Sequence, residues 1–268
     1  MASLKHSDLS FTSASKAAAT IHRGEITSLD LTKHILDRIE RYNSILNAIV
    51  TLTRGDALAT AKAADDAIDR GEIMGPLHGV PITIKDCFEV AGVRTTAGST
   101  KFSNHVPQND ACTVARLRKS GAVILGKTNV PIMAGNWQTY NKIFGTTNNP
   151  WDTERTPGGS TGGGAAALAA GLSYLSLGSD IGGSIRIPSH FCGLYGHKPS
   201  LNVVPLQGHI PKSVYHPPLL SVAGTLSRSP QDLRLALETI GGPSAEEEKA
   251  YTWALPPARS KRLSDYHI

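Results

Sequence analysis

Aromatic side chains are scarce in this sequence, at 6% of 268 residues, and cysteine occurs only three times. Cys87, Cys112 and Cys192 cannot all pair within one chain and show no C-x-x-C spacing, which excludes a disulfide scaffold. No apolar run reaches the length of a membrane span, and no apolar h-region opens the N-terminus. The expectation is a cytoplasmic protein with reduced thiols and no membrane partner. No cluster of His, Cys and Asp has ligand spacing, so neither a metal nor a cofactor is expected. The formal charge of +5 is spread along the chain, its densest basic group being Arg259, Lys261 and Arg262. Without a basic stripe or a readable module, a nucleic-acid partner is not expected.

What is present is a globular composition, 40% apolar and 18% charged. Abundant alanine and glycine with few aromatics suggest helices packed closely on a sheet. Residues 28–43 place Leu31, Ile35 and Ile39 on one helix face, with Ser28 as N-cap and Asp30 in the first turn. The run 46–52 reads as a strand, and 56–70 as an Ala-rich helix stopped by Gly71. Gly79–Ile84 (GVPITI) reads as a buried strand, 110–120 as a helix capped by Asn109 or Asp110, and 122–125 as a further buried strand. A helix over 163–170, a strand over 174–177 and a helix from Pro230 to Ile240 ending at Gly241-Gly242 complete the pattern. Alternating elements of these lengths predict an α/β architecture.

Between Pro157 and Gly193 glycine becomes dense. Gly158-Gly159-Ser160-Thr161-Gly162 satisfies the letters of a G-x-S-x-G nucleophile elbow, but the prolines and polar turn residues before it do not form the strand an elbow needs. A phosphate cradle needs a lysine followed by Ser or Thr after its last glycine, and Gly162-Gly163-Gly164 leads into Ala165 instead. On these five residues alone a glycine-rich helix-capping turn is the better reading. A second cluster, Gly178 to Pro188 (GSDIGGSIRIP), sets Ser184 directly after two glycines. Successive backbone N–H groups in such a turn can converge on an anion, beside a hydroxyl able to attack; an ordinary turn fits this cluster equally. His190 with Asp180 is a poor base–orienter pair, since triad partners usually come from separate elements. His190 and His197 read as structural or surface residues, and Cys192 as a small buried filler. Lys85 ends the strand 79–84, where a lysine is usually solvated. Desolvated, it would drop below its ordinary pKa of about 10.4 and act as a neutral base.

Taken together, these segments resemble the amidase-signature family. Gly75–Asp86 (GPLHGVPITIKD) is similar to the family's lysine strand, and 113–129 (TVARLRKSGAVILGKTN) to its next helix–strand unit. Residues 144–152 (FGTTNNPWD) and 157–171 (PGGSTGGGAAALAAG) resemble the approach to the signature and its body, and 177–199 (LGSDIGGSIRIPSHFCGLYGHKP) the nucleophile loop. Order, spacing and residue type agree from about residue 8 to the helix ending near Gly241. The resemblance implies one amidase-signature domain over 1–268, clearest over 8–241, with 242–268 as a linker-like tail. It also implies a mixed central β-sheet covered on both faces by helices.

Carried onto this chain, the resemblance implies Ser184 as nucleophile and Ser160 as a bridging serine after a cis peptide bond from Gly159. It implies Lys85 as base, and the N–H groups of Ile181, Gly182, Gly183 and Ser184 as the oxyanion hole. Asp180 and Arg186 would brace the loop. Thr161 departs from the usual Ser-Ser, and its methyl would narrow the space beside Ser160. Family members continue well beyond this length, so the sheet is expected to be incomplete at the C-terminus, where 255–268 resembles the lead-in to a further strand. The implied reaction is hydrolysis of a carboxamide through a Ser184 acyl-enzyme, with a small-molecule amide as substrate and a second copy of the chain as the one macromolecular candidate partner. A catalytically weak or inactive fragment, and the A-type component of an amidotransferase, are the alternatives. Residues 209–221 (HIPKSVYHPPLLS) look more like stand-alone amidases.

Overall fold

The computed structural model describes residues 9–210, 220–260 and 262–266. Helix α1 (Ala14–His22) starts at Ser13, whose hydroxyl accepts the Lys16 N–H. The Asp232 carboxylate accepts the next free donors, the N–H groups of Ala14 and Ser15. Helix α2 (Ser28–Leu46) buries Leu31, Ile35 and Ile39 as their spacing requires. Its cap is Thr27 rather than Ser28: the Thr27 hydroxyl accepts the Asp30 N–H. The Ser28 hydroxyl turns inward to the Gly79 carbonyl, while Asp65 accepts the N–H groups of Ser28 and Leu29. The helix also runs through Leu46, so strand β1 (Ile49–Leu52) is shorter than expected.

Helix α3 (Arg54–Asp69) buries Ala57, Ala61, Ala64 and Ala67, a stripe of small side chains that brings it close to its neighbours. Strand β2 (Pro81–Lys85) is buried throughout. Helix α4 (Cys112–Lys119) has Ala111 at its N-cap and no side-chain cap. Asp110 is committed elsewhere, accepting the Ala91 N–H and pairing with Arg118. Strand β3 (Val123–Thr128) extends further than its apolar core suggested. A short hairpin, β4 (Tyr140–Asn141) and β5 (Gly145–Thr146), precedes helix α5 (Gly162–Ala169) and strand β6 (Leu175–Asp180). Then follow helix α6 (Arg186–Phe191), strands β7 (Tyr195–His197) and β8 (Val222–Ser227), and helix α7 (Pro230–Ile240).

Six strands form one mixed sheet in the order β1-β3-β2-β6-β8-β7. The centre, β3-β2-β6, is parallel, and antiparallel pairs extend it on each side. Among the described residues its edges are β1 and β7, both short, which limits the unpaired backbone they present. Helices flank the sheet, and the principal core joins α1–α5 and α7 to β1, β2, β3, β6 and β8. Arg116 of α4 donates to the carbonyls of Ile240, Gly241, Gly242 and Pro243, closing the C-terminus of α7.

Helix α5 is fully buried through its first two turns, and its glycines are matters of contact. A Cβ on Gly163 would overlap the backbone N of Asn129, and one on Gly164 would overlap Ser176 Oγ. Glycine within a helix costs about 0.5–1 kcal/mol relative to alanine, less than a forced separation of helix and sheet. The closeness matters because Ser160 and Thr161 immediately precede this helix.

The tail contains single 3-10 turns at Glu247–Lys249 and Leu263–Asp265, and Trp253 packs against Gly241. Most of the segment that set the chain nearer stand-alone amidases, 211–219, lies outside the described residues, as do Lys261, His267 and Ile268.

Candidate active site

Two adjacent parallel strands, β2 and β6, end on the same side of the sheet, where open α/β sheets commonly bind ligands. Lys85 is the last residue of β2, and Asp180 the last of β6. Lys85 is 0% exposed rather than solvated. Its Nζ lies 2.7 Å from Ser160 Oγ, 3.0 Å from Ser179 Oγ and 3.3 Å from the Ser179 carbonyl. Burial pulls its pKa down to about 8, with the Asp180 carboxylate acting the other way.

The comparison with Lys127, on the neighbouring strand β3, shows what sets Lys85 apart. Lys127 is equally buried, and burial lowers its pKa too, but its Nζ meets the Asp86 carboxylate at 3.1 Å and Thr95 Oγ1 at 2.6 Å. Lys127 has a counter-charge; among the described residues Lys85 has only hydroxyls and a carbonyl as partners. An ammonium without a carboxylate in a dry site gives up its proton readily.

The Gly159–Ser160 peptide bond is cis, and Ser160 is completely buried. The Thr161 N–H donates to the Ser184 carbonyl at 3.1 Å, tying the two serine-bearing loops together. Thr161 Oγ1 donates to the Ser179 carbonyl at 3.4 Å. Its methyl faces Gly164 and Gly178, where a Cβ would lie 3.3 and 2.8 Å from Cγ2, so two missing side chains accommodate the branch.

The loop after β6 is organised by Asp180. Its carboxylate accepts the N–H groups of Gly183 (2.8 Å), Ile185 (2.9 Å) and Arg186 (3.3 Å), and the Arg186 guanidinium bridges both oxygens at 3.0–3.1 Å. Burial alone would raise its pKa, but the Arg186 hydrogen bonds and these N–H groups outweigh it and hold the carboxyl at about 2. The Asp180–Arg186 pair therefore shapes the turn that presents Ser184. The Gly183 N–H, one of the expected oxyanion donors, donates to Asp180 Oδ1 in this structure. The N–H groups of Ile181, Gly182 and Ser184 make no hydrogen bond with a described residue. Ser184 itself is 8% exposed, and its Oγ makes no hydrogen bond with a described residue. The structure thus joins Lys85 to Ser160 directly, but Ser160 to Ser184 only through the neighbouring Thr161 backbone.

Two polar residues of this site carry no sequence signal. Ser179 lies beneath Lys85, and His209 Nε2 lies 2.9 Å from Ser179 Oγ. The His209 ring stands edge-on to Phe88, with centroids 4.8 Å apart. Burial, and then the charge of Lys85, push the His209 pKa well below its ordinary value. His190 is exposed, and His197 and Cys192 lie outside this network. Cys192 is buried, and burial raises its thiol to about 12, consistent with a filler. Among the described residues no group of three or more His, Cys, Asp or Glu could hold a metal. No helix among them is long and apolar enough to cross a membrane.

A sequence model of the family described as Amidase matches residues 30–266. The A-type component of the glutamyl-tRNA(Gln) amidotransferase of Moorella thermoacetica is 42% identical over 253 residues, which is 94% of this chain and 51% of that protein. A proposed amidase of Mycobacterium tuberculosis, AmiB2, is 46% identical over 244 residues, 89% of this chain and 51% of that one. Among solved structures, the peptide amidase of Stenotrophomonas maltophilia superposes with a TM-score of 0.82 at 33% identity, over 93% of this chain and 51% of its own. A bacterial aryl acylamidase of the amidase-signature family superposes with a TM-score of 0.84 at 29% identity, over 91% and 50%. The chain spans about half the length of the curated relatives it matches.

Proposed function

The chain belongs to the amidase family, and on that premise we propose that it cleaves a carboxamide C–N bond through a Ser184 acyl-enzyme. The observation that carries this reading is the buried Lys85 amine, without a carboxylate partner among the described residues, 2.7 Å from Ser160 Oγ. In the proposed reaction neutral Lys85 accepts the Ser160 proton as Ser160 accepts the Ser184 proton. Ser184 Oγ forms a bond to the amide carbonyl carbon, and the carbonyl π-electrons move onto oxygen. The N–H groups of Ile181, Gly182 and Ser184 are the donors free to hold that oxyanion. When the C–N bond breaks, the Lys85 proton returns through Ser160 to the departing nitrogen, which avoids expulsion of an amide anion. Water then attacks the ester by the same relay, releasing carboxylate and regenerating Ser184. Ser184 must first come within reach of Ser160; such contacts are often long without substrate.

The test is release of ammonia or amine from a panel of aliphatic, aryl and peptidyl amides by wild type and Ser184→Ala. Release that disappears in Ser184→Ala supports the reading, and release that persists at the same rate contradicts it. A cooperatively melting chain that turns over none of them would favour the inactive-fragment reading. The similarity to the A-type components of amidotransferases favours one further reading, ammonia release from glutamine within a larger assembly. Glutamine turnover that appears only with co-purifying partner proteins would identify it.

A further inference from the structure

We propose that His209 is a positioning residue for Lys85: acting through Ser179, it holds the lysine's lone pair on Ser160. The proposal rests on the reading of Lys85 as the base. Ser179 Oγ lies between two nitrogens, 3.0 Å from Lys85 Nζ and 2.9 Å from His209 Nε2. A hydroxyl has one proton, so it can donate to only one of them. A neutral lysine has two N–H bonds and one lone pair. To accept from Ser160 it must direct both N–H bonds elsewhere, and among the described residues the Ser179 carbonyl and Ser179 Oγ are the two acceptors within reach. That assignment requires the Ser179 proton to point at His209, whose Nε2 must then be the bare nitrogen. With the opposite polarity, Ser179 would donate to Lys85 and compete with Ser160 for the lone pair.

His209 is built to stay an acceptor. Burial keeps its imidazole neutral, and the Lys85 ammonium adds to this only while that lysine is protonated. Its backbone is pinned to the segment after β2: Glu89 N–H donates to Gly208 O (2.8 Å), and Ile210 N–H donates to Cys87 O (2.7 Å). The edge contact with Phe88 fixes the ring. The other titratable groups near Lys85 are Asp180, whose carboxylate favours the ammonium, and Cys87, whose thiol burial pushes up to about 11 and so keeps neutral where the lysine titrates. Asp86 is engaged with Lys127 and makes no hydrogen bond to Lys85.

Two measurements test this without relying on turnover. In wild type, two-bond ¹H–¹⁵N correlation spectra of the histidines are expected to show His209 with its proton on Nδ1; a proton on Nε2 overturns the proposal. The Lys85 ε-carbon resonance, assigned with Lys85→Met, is then titrated in wild type, His209→Phe and His209→Gln. Phenylalanine keeps the ring contact but removes the acceptor, freeing Ser179 to donate to the amine and stabilising its neutral form. Lys85 is therefore expected to titrate at lower pH in His209→Phe and near the wild-type position in His209→Gln. Modification of Ser184 by a fluorophosphonate is expected to fall roughly tenfold in His209→Phe, about what one hydrogen bond is worth, and to recover in His209→Gln. An unchanged Lys85 titration in His209→Phe, or a Gln variant as impaired as Phe at equal melting temperature, overturns the proposal. Absence of Ser184 modification in wild type counts against the amidase reading instead, because the tautomer and the titration still decide the role of His209.

Discussion

Replacing Lys85 by methionine is expected to stabilise the fold near neutral pH, with a gain that fades as the pH rises. The unfolded chain holds the Lys85 proton up to the ordinary pKa of 10.5, whereas the folded chain gives it up near 8. Folding therefore releases a proton between those values, and wild-type stability rises with pH across that window. Below pH 8 the folded protein carries the full penalty of an ammonium in a dry site, about 3 kcal/mol at 1.36 kcal/mol per unit. Methionine removes that penalty and fills a similar volume, but it strands Ser160 Oγ and the Ser179 groups, returning about 1–2 kcal/mol. The net gain expected at pH 7 is about 1–2 kcal/mol, turning into a loss as the pH approaches 10. Urea unfolding of both proteins between pH 7 and 9.5 checks this, since wild type should gain on the variant by about 1.4 kcal/mol per pH unit above pH 8. A stability difference that does not vary with pH, or a variant less stable at pH 7, would refute the desolvated-lysine argument.

Asp180→Asn is expected to lose about 3 kcal/mol, because it leaves three N–H groups and Arg186 without their carboxylate. The carboxyl contribution itself is present above its ordinary pKa of 3.8 and disappears as the pH falls through about 2, so Asp180→Asn and wild type should converge in acid denaturation. Gly164→Ala should lower stability by about 1–3 kcal/mol by forcing α5 away from Ser176, read as a drop in melting temperature. Thr161→Ser should cost about 1 kcal/mol in urea unfolding, because it leaves an unfilled methyl site beside Gly178.

Local chemistry made some elements legible and hid others. Helix α7 is bounded by signals in plain view, Ser229-Pro230 at one end and Gly241-Gly242 at the other. Strand β2 announces itself by an uninterrupted apolar run. Strand β8 does not, because Gly224 breaks it where the His197 carbonyl presses against the backbone. Helix α6 contains Pro188 and follows two glycines, so locally it resembles a turn. The caps at Ser28 and Asp110 failed because both side chains found longer-range partners, Gly79 and the Ala91–Arg118 pair. At the site, residue types alone favoured a helix-capping turn at Ser160, left Ser184 open between a turn and an anion-binding nest, and left Lys85 open between a solvated lysine and a desolvated base. Family resemblance singled them out, and the burial of Lys85 at the end of β2, beside β6, is settled by tertiary packing. Ser179 and His209 went unnoticed for the same reason: their contact exists only once the 208–210 segment lies against 87–89.

The most direct test of a lysine-driven serine is the pH profile of fluorophosphonate modification at Ser184, located by peptide mapping, in wild type and Lys85→Met. The rate is predicted to rise about tenfold per unit below an apparent pKa near 8 and to level off above it, with the modification lost in Lys85→Met. A rate independent of pH across this range, or modification of Ser184 undiminished in Lys85→Met, would contradict the claim that a buried neutral lysine drives the serine.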